Sequence, residues 1–222
     1  MQTIIFDLDG TLIDTAPDLI ETLNVILGRQ GLHPADYDEA RTMIGDGAKR
    51  LLERGLSQQT QVSPEVLERL YQDYLVYYAD HIADRSRAFP GLEKALDALT
   101  ARGCRLAVCT NKLEWLSVRL LEALNLKQRF TAICGQDTFK IAKPDPEILL
   151  RTIAAASGDL RQSIMVGDSL TDISTARAAG IPVIAVDFGY SKTPVSQLGA
   201  DRVISDYDAL AGAIEALREM RP

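Results

Sequence analysis

The chain has 222 residues, 46% of them hydrophobic and 25% charged, with a formal net charge of −7. That is ordinary globular composition with room for one large or two smaller domains, and the acidic balance argues against nucleic acid, which needs basic patches to neutralise phosphates. No apolar run approaches a membrane span, the first residues enter a strand pattern with no basic leader or cleavage site, and Cys104, Cys109 and Cys134 lack metal-type spacing; a cytoplasmic protein with free thiols and no membrane partner is expected.

The opening stretch, Ile4-Ile5-Phe6-Asp7-Leu8-Asp9-Gly10-Thr11, reads as a short buried strand ending in two carboxylates. Residues two apart on extended chain point the same way, so Asp7 and Asp9 project together while Leu8 turns into the core. Two such carboxylates repel, and one holds a proton unless a cation sits between them. A hard divalent ion such as magnesium suits oxygen ligands. Gly10 lets the chain turn away and leaves backbone N–H groups near the site.

Thr15 and Asp18 form a capping-box pattern, with Pro17 in the first turn. Leu19, Ile20, Leu23, Ile26 and Leu27 follow at helical spacing, and Gly31 is a stop signal. The pattern then stays helical to about residue 87: 38–44, 48–56 after Gly45-Asp46-Gly47, and a long helix opened by Ser63-Pro64-Glu65. The face of that last helix carries Val66, Leu70, Tyr74, Tyr77, Tyr78 and Ile82. A run without strands predicts an all-helical insertion. The expected domains are a core of residues 1–14 and 88–222 and a helical cap of 15–87, hinged near residues 14 and 88.

After Phe89-Pro90-Gly91 the patterns alternate: helix 92–100, strand 104–109, helix 113–124, strand 130–134, helix 143–156, strand 163–166, helix 172–179, strands 182–186 and 203–204, and a closing helix 207–220. The alternation predicts an α/β protein whose parallel sheet has helices on both faces.

Ligands of such a sheet sit outside the carboxyl ends of the strands. Three strands end in polar residues there: Asp7-x-Asp9, Thr110-Asn111 and Gly167-Asp168. Lys143, between a strand and a helix, reaches the same edge and is favoured over Lys140 because Pro144 fixes the chain after it. His33 and His81 lie at no strand end, and neither a G-x-S-x-G nor a Walker A sequence occurs. A carboxylate already ionised at neutral pH attacks phosphorus without a base. Its neighbour can protonate the leaving alkoxide and then activate the water that opens the mixed anhydride. A metal and Lys143 screen charge, and Thr110 with backbone N–H groups holds the equatorial oxygens. The set fits phosphoryl transfer through an aspartyl-phosphate.

Asp7-Leu8-Asp9-Gly10-Thr11, Thr110-Asn111, Lys143-Pro144-x-Pro146 and Gly167-Asp168-Ser169-x-x-Asp172 resemble, in order and across almost the whole chain, the four motifs of the haloacid dehalogenase superfamily. The resemblance implies a Rossmann-like core with a helical cap inserted after the first motif. It implies Asp7 as nucleophile, Asp9 as general acid and base, and Thr110 and Lys143 as phosphate and charge partners. It places magnesium on the Asp7 carboxylate, the Asp9 backbone carbonyl and Asp168, with Asp172 behind them, paired with Lys143. A second Asp two residues after the nucleophile points to a phosphatase or phosphomutase and away from ion pumps and dehalogenases.

Within the superfamily, Gly45-Asp46-Gly47-Ala48-x-x-Leu51, Thr110-Asn111-Lys112 and Phe188-Gly189-Tyr190 are similar to the phosphoglycolate phosphatase group. The expected activity is magnesium-dependent hydrolysis of a small phosphomonoester, 2-phosphoglycolate first. A sugar phosphomutase, a pyrophosphatase and a non-catalytic phosphometabolite-binding protein are the alternatives. Substrate binding is expected at Gly10, Thr11 and Asn111, with Lys49 or Arg50 meeting a substrate carboxylate. Lys112 reads as a helix-start residue, Asp137 and Asp187 as turn residues, and Trp115 and the tyrosines of the long helix as packing. The expected assembly is a monomer or homodimer.

Overall fold

A computed structural model describes residues 1–219. β1 (Thr3–Phe6) leads through β2 (Ile13–Asp14) into α1 (Ala16–Arg29), α2 (Tyr37–Arg41), α3 (Ala48–Ser57) and α4 (Pro64–Asp80), and the chain returns through β3 (Arg87–Ala88). Alternation follows: α5 (Leu92–Ala101), β4 (Arg105–Cys109), α6 (Glu114–Ala123), β5 (Ala132–Cys134), α7 (Pro146–Ala155), β6 (Ser163–Gly167), α8 (Leu170–Ala178), β7 (Val183–Val186), β8 (Arg202–Ile204) and α9 (Leu210–Glu219). The closing helix opens as a 3-10 turn over Tyr207–Ala209, and Met220, expected at its end, lies outside the described residues.

The main sheet has the order β5-β4-β1-β6-β7-β8, parallel throughout. β1 is central, with Phe6 opposite Val108 on one side and Val166 on the other. The chain leaves β1 for β4 and β5 on one flank and returns to build β6, β7 and β8 on the other. That reversal opens a crevice above the carboxyl end of β1, where open α/β sheets bind ligands.

Alternation along each strand sorts the core into two layers. Ile4 and Phe6 join Leu106, Val108, Ile164 and Val166 on one face, under α5, α6 and α9. Ile5 joins Ala107, Met165, Val183 and Ala185 on the other, under α7 and α8. Leu8 is fully buried in the first layer, turned inward between the two carboxylates. Each buried Leu or Ile contributes roughly 1.5–3 kcal/mol, which lets the strand ends tolerate carboxylates that burial destabilises.

The capping box expected at Thr15 and Asp18 does not form. Thr15 makes no side-chain cap. Its hydroxyl and the Asp18 carboxylate are drawn to partners elsewhere in the chain, where they satisfy buried groups. The segments entering and leaving the helical stretch pair as an antiparallel ribbon, Ile13 opposite Ala88 and Asp14 opposite Arg87. At two residues per strand, this ribbon is too short to carry a period-2 signal. α8 starts before the expected residue 172 because Ser169 and Asp172 cap it reciprocally.

Candidate active site

The sheet ladder runs one residue past two of its strands. The Asp7 N–H donates to Val166 O at 2.9 Å, and the Thr110 N–H donates to Cys134 O at 3.0 Å. Backbone pairing, not side-chain packing, therefore fixes where these residues project. Asp168 follows β6 directly and arrives at the same edge.

Asp7, Asp168 and Asp172 are buried, with one carboxylate oxygen of each within 4.8 Å of the others. Lys143 Nζ lies between two of them, 2.9 Å from Asp7 Oδ1 and 2.6 Å from Asp172 Oδ1. Burial alone lowers an ammonium, but Asp172 and Asp7 outweigh it and hold Lys143 well above its ordinary value. Burial pushes Asp7 up to about 6 against the pull of Lys143. Burial, with repulsion from Asp172 and Asp7, pushes Asp168 up to about 8.

Asp172 is saturated. Its Oδ2 accepts from the Asp168 N–H, the Ser169 N–H and the Ser169 hydroxyl, and its Oδ1 takes Lys143. Asp168 accepts from the Tyr190 N–H at 2.7 Å and the Thr11 hydroxyl at 3.3 Å. Asp7 Oδ1, by contrast, is buried beside Lys143 with no aligned hydrogen-bond donor among the described residues. Crowded anionic oxygens, two carboxyls raised by their surroundings and one buried oxygen without an aligned donor fit a hard divalent cation, with Asp7 and Asp168 the side chains free to ligate it. Glycines shape the cradle: a Cβ at Gly189 or Gly10 would collide with Asp168, and one at Gly167 with Asp172.

Asp9 stands outside this cluster, so the expected joint projection of Asp7 and Asp9 extends to a shared cavity wall and not to a shared set of partners. Its Oδ1 accepts from the Thr15 hydroxyl at 2.7 Å, and Lys112 Nζ lies 2.9 and 3.1 Å from its two oxygens. Lys112 is 7% exposed and stands 4.6 Å over the ring of Tyr78. The helix-start reading of Lys112 is thus incomplete. It lies two residues after Thr110, so it leaves the strand end beside it, but its partner Asp9 is 103 positions away. Thr15 and Tyr190 also belong to the site; the sequence marks Thr15 only as a capping residue and Tyr190 only within Phe188-Gly189-Tyr190, and neither pattern points to these contacts.

The remaining expected residues divide. Thr110 is buried at the site, its hydroxyl accepting from the Lys112 N–H. Asn111 braces the Lys143 backbone, donating to its carbonyl and accepting from its N–H, and also donates to Gly45 O. The Gly10 N–H is taken up by Ile13 O in the turn, so it is not left facing the site. Lys49 and Arg50 are not brought in: they pair with Glu68 at 2.5 Å and Glu53 at 2.6 Å on the exposed face of α3, while Ala48 and Leu51 face inward. Lys140 is exposed. Asp137 caps α6 through the Glu114 N–H, and Asp187 accepts from the Ser205 hydroxyl. Trp115, expected to pack, is 45% exposed.

A cavity of about 30 Å³ separates Asp7, Asp9, Thr110 and Lys112 from Ile44 and Tyr78 of the helical segment. Arg41 in α2 spans to the loop that holds Asp168, donating to Phe188 O at 3.1 Å and Gly189 O at 2.8 Å.

Residues 4–186 match the model of a family described as haloacid dehalogenase-like hydrolase. A phosphoglycolate phosphatase of Mesorhizobium japonicum is 48% identical over 93% of this chain and 92% of its own. One of Agrobacterium fabrum is 45% identical over 95% and 91%. The crystal structure of a predicted phosphoglycolate phosphatase from Haemophilus somnus superposes with a TM-score of 0.86 at 27% identity, covering 96% of this chain and 97% of that one. No helix among the described residues is long and apolar enough to cross a membrane.

Proposed function

The chain belongs to the haloacid dehalogenase-like hydrolase family, and we propose that it is a magnesium-dependent phosphatase that hydrolyses 2-phosphoglycolate through an aspartyl-phosphate on Asp7. The observation that carries this reading is the placement of Asp7: a buried carboxylate with Lys143 2.9 Å from one oxygen, lining a cavity that Asp9 also lines. The substrate class is that of the relatives, with which the chain shares nearly its full length.

A carboxylate oxygen of Asp7 attacks phosphorus as the ester P–O bond breaks, and the departing alkoxide takes a proton from the Asp9 carboxyl. Asp9, now a carboxylate, takes a proton from water. The water oxygen attacks the same phosphorus, and the Asp7 carboxylate leaves. One ester and one water become one alcohol and one phosphate. In this reading Lys143 holds positive charge beside the nucleophile, and the Thr110 hydroxyl holds a phosphoryl oxygen. Asp7 and Asp168, with the Asp9 carbonyl, would hold magnesium, which when bound screens the phosphoryl charge from the nucleophile.

A 30 Å³ cavity holds roughly one or two waters, whereas ligand sites are on the order of hundreds of Å³. In this reading residues 15–87 act as a cap that opens about the ribbon of β2 and β3 to admit substrate and closes to exclude water. The three unpaired thiols fit a reducing, cytoplasmic setting. Initial rates of phosphate release against phosphoglycolate, hexose phosphates, pyrophosphate and nucleotides test the assignment. Phosphoglycolate should lead. A lead for pyrophosphate, or isomerised sugar phosphate without free phosphate, would replace it.

A further inference from the structure

Lys112 has two surroundings at once. A buried ammonium is costly unless paired, and Lys112 is paired with Asp9. It shares that carboxylate with the Thr15 hydroxyl and also lines the cavity, so an anionic group seated there comes within its reach.

The surroundings offer no substitute. Among the described residues lining the cavity, Lys112 is the only cationic side chain. Lys143 is committed to Asp7 and Asp172, and the charges of α3 are paired outward, Lys49 with Glu68, Arg50 with Glu53 and Arg54 with Asp46. Below Lys112, Tyr78 adds a hydroxyl that is buried with no hydrogen-bond partner among the described residues.

The substrate can supply a second anionic partner. In 2-phosphoglycolate, two bonds of about 1.5 Å each separate the leaving oxygen from the carboxyl carbon. A cation within hydrogen-bond reach of Asp9 is therefore within reach of that carboxylate when Asp9 sits on the leaving oxygen. We infer that Lys112 reads the substrate's carboxylate, taking it as a second partner beside Asp9 in the enzyme–substrate complex, and so selects phosphomonoesters with a carboxylate one carbon from the ester oxygen. This rests on the proposed phosphatase reading and moves the selecting charge from Lys49 and Arg50 to the core side of the cavity.

The test is the ratio of kcat/KM for 2-phosphoglycolate to that for ethyl phosphate, with magnesium, in wild type, Lys112→Met and Lys112→Arg. Both substrates are read on one preparation, so the ratio is independent of the active fraction. A charge-assisted hydrogen bond predicts that Lys112→Met lowers the ratio by about 10–100-fold, while Lys112→Arg keeps most of it. A wild-type preference that survives unchanged in Lys112→Met overturns the role of Lys112 alone. So does an equal loss on both substrates, which would confine Lys112 to holding Asp9. A wild-type ratio near one overturns the phosphoglycolate reading itself, and this inference with it. If Lys112→Met is too unstable to assay, Lys112→Gln takes its place: the same fall in the ratio is expected, and an unchanged ratio again overturns the role of Lys112.

Discussion

Thr15 ties Asp9 to the crossing at β2 and β3: its hydroxyl donates to Asp9 Oδ1 at 2.7 Å, and its own N–H donates to Tyr190 Oη at 2.7 Å. Tyr190 in turn donates its hydroxyl to Asp14 and its N–H to Asp168. One residue at the start of the helical segment thus connects the proposed acid to the loop that holds a proposed metal ligand. Thr15→Val keeps the shape and removes the donor. With Asp9 less well placed, kcat/KM should fall by about 10-fold, the value of a hydrogen bond to a charged group. Thr15→Ser should recover most of it. Steady-state rates on phosphoglycolate, with melting curves for each variant, check both.

Asp18 fastens the other side of the crossing. Its carboxylate, 3% exposed, accepts from the Arg85 N–H, the Ser86 N–H and the Ser86 hydroxyl. Asp18→Ala leaves those donors unpaired, each at a cost of about 1–3 kcal/mol when buried. Since Arg85 can reach water, a total loss of about 2–4 kcal/mol is expected. Urea unfolding gives the value directly, and Asp18→Asn, which keeps one acceptor, should lose less.

Gly189 has no room for a side chain, because a Cβ there would meet Asp168. Gly189→Ala must push Asp168 out of place or move the loop. Magnesium affinity by calorimetry should weaken by about 10-fold or more, in the range seen when groups that orient metal ligands are disturbed. Gly212, where a Cβ meets nothing within 4 Å, is the control: Gly212→Ala should leave affinity unchanged.

Asp7 and Asp168 are held at about 6 and about 8, above the ordinary carboxylate value of 3.8. An acid raised in the folded state binds its proton more tightly there than in the unfolded chain, so its ionisation opposes folding. The metal-free protein should therefore lose stability from these groups as pH rises from about 4 through 8. Magnesium should remove that loss, and its binding should release protons at acidic pH and few at alkaline pH. Calorimetry in buffers of different ionisation heat counts them.

What was legible in the sequence was what depends on neighbours in the chain. A strand's period of two places Asp7 and Leu8 on opposite sides wherever the strand lies, and the alternation of patterns after residue 88 gives a sheet with both faces covered. Thr15 and Asp18 misled because a local pattern, the capping box, lost to partners that only the fold supplies: Ser86 lies 68 positions from Asp18. Lys112 beside Thr110 was visible, but its charge partner was not. Lys49 and Arg50 fell on the wrong face because helical phase says which residues share a side, not which side meets the cavity.

The central claim is that Asp7 carries the phosphoryl group. Borohydride reduction during turnover of phosphoglycolate with magnesium, followed by peptide mass spectrometry, reads it directly, since an acyl phosphate is reduced to the alcohol. Reduction at residue 7, dependent on substrate and lost in Asp7→Asn along with turnover, is the predicted result. Turnover that persists in Asp7→Asn, or reduction found at Asp9 in place of Asp7, would contradict it.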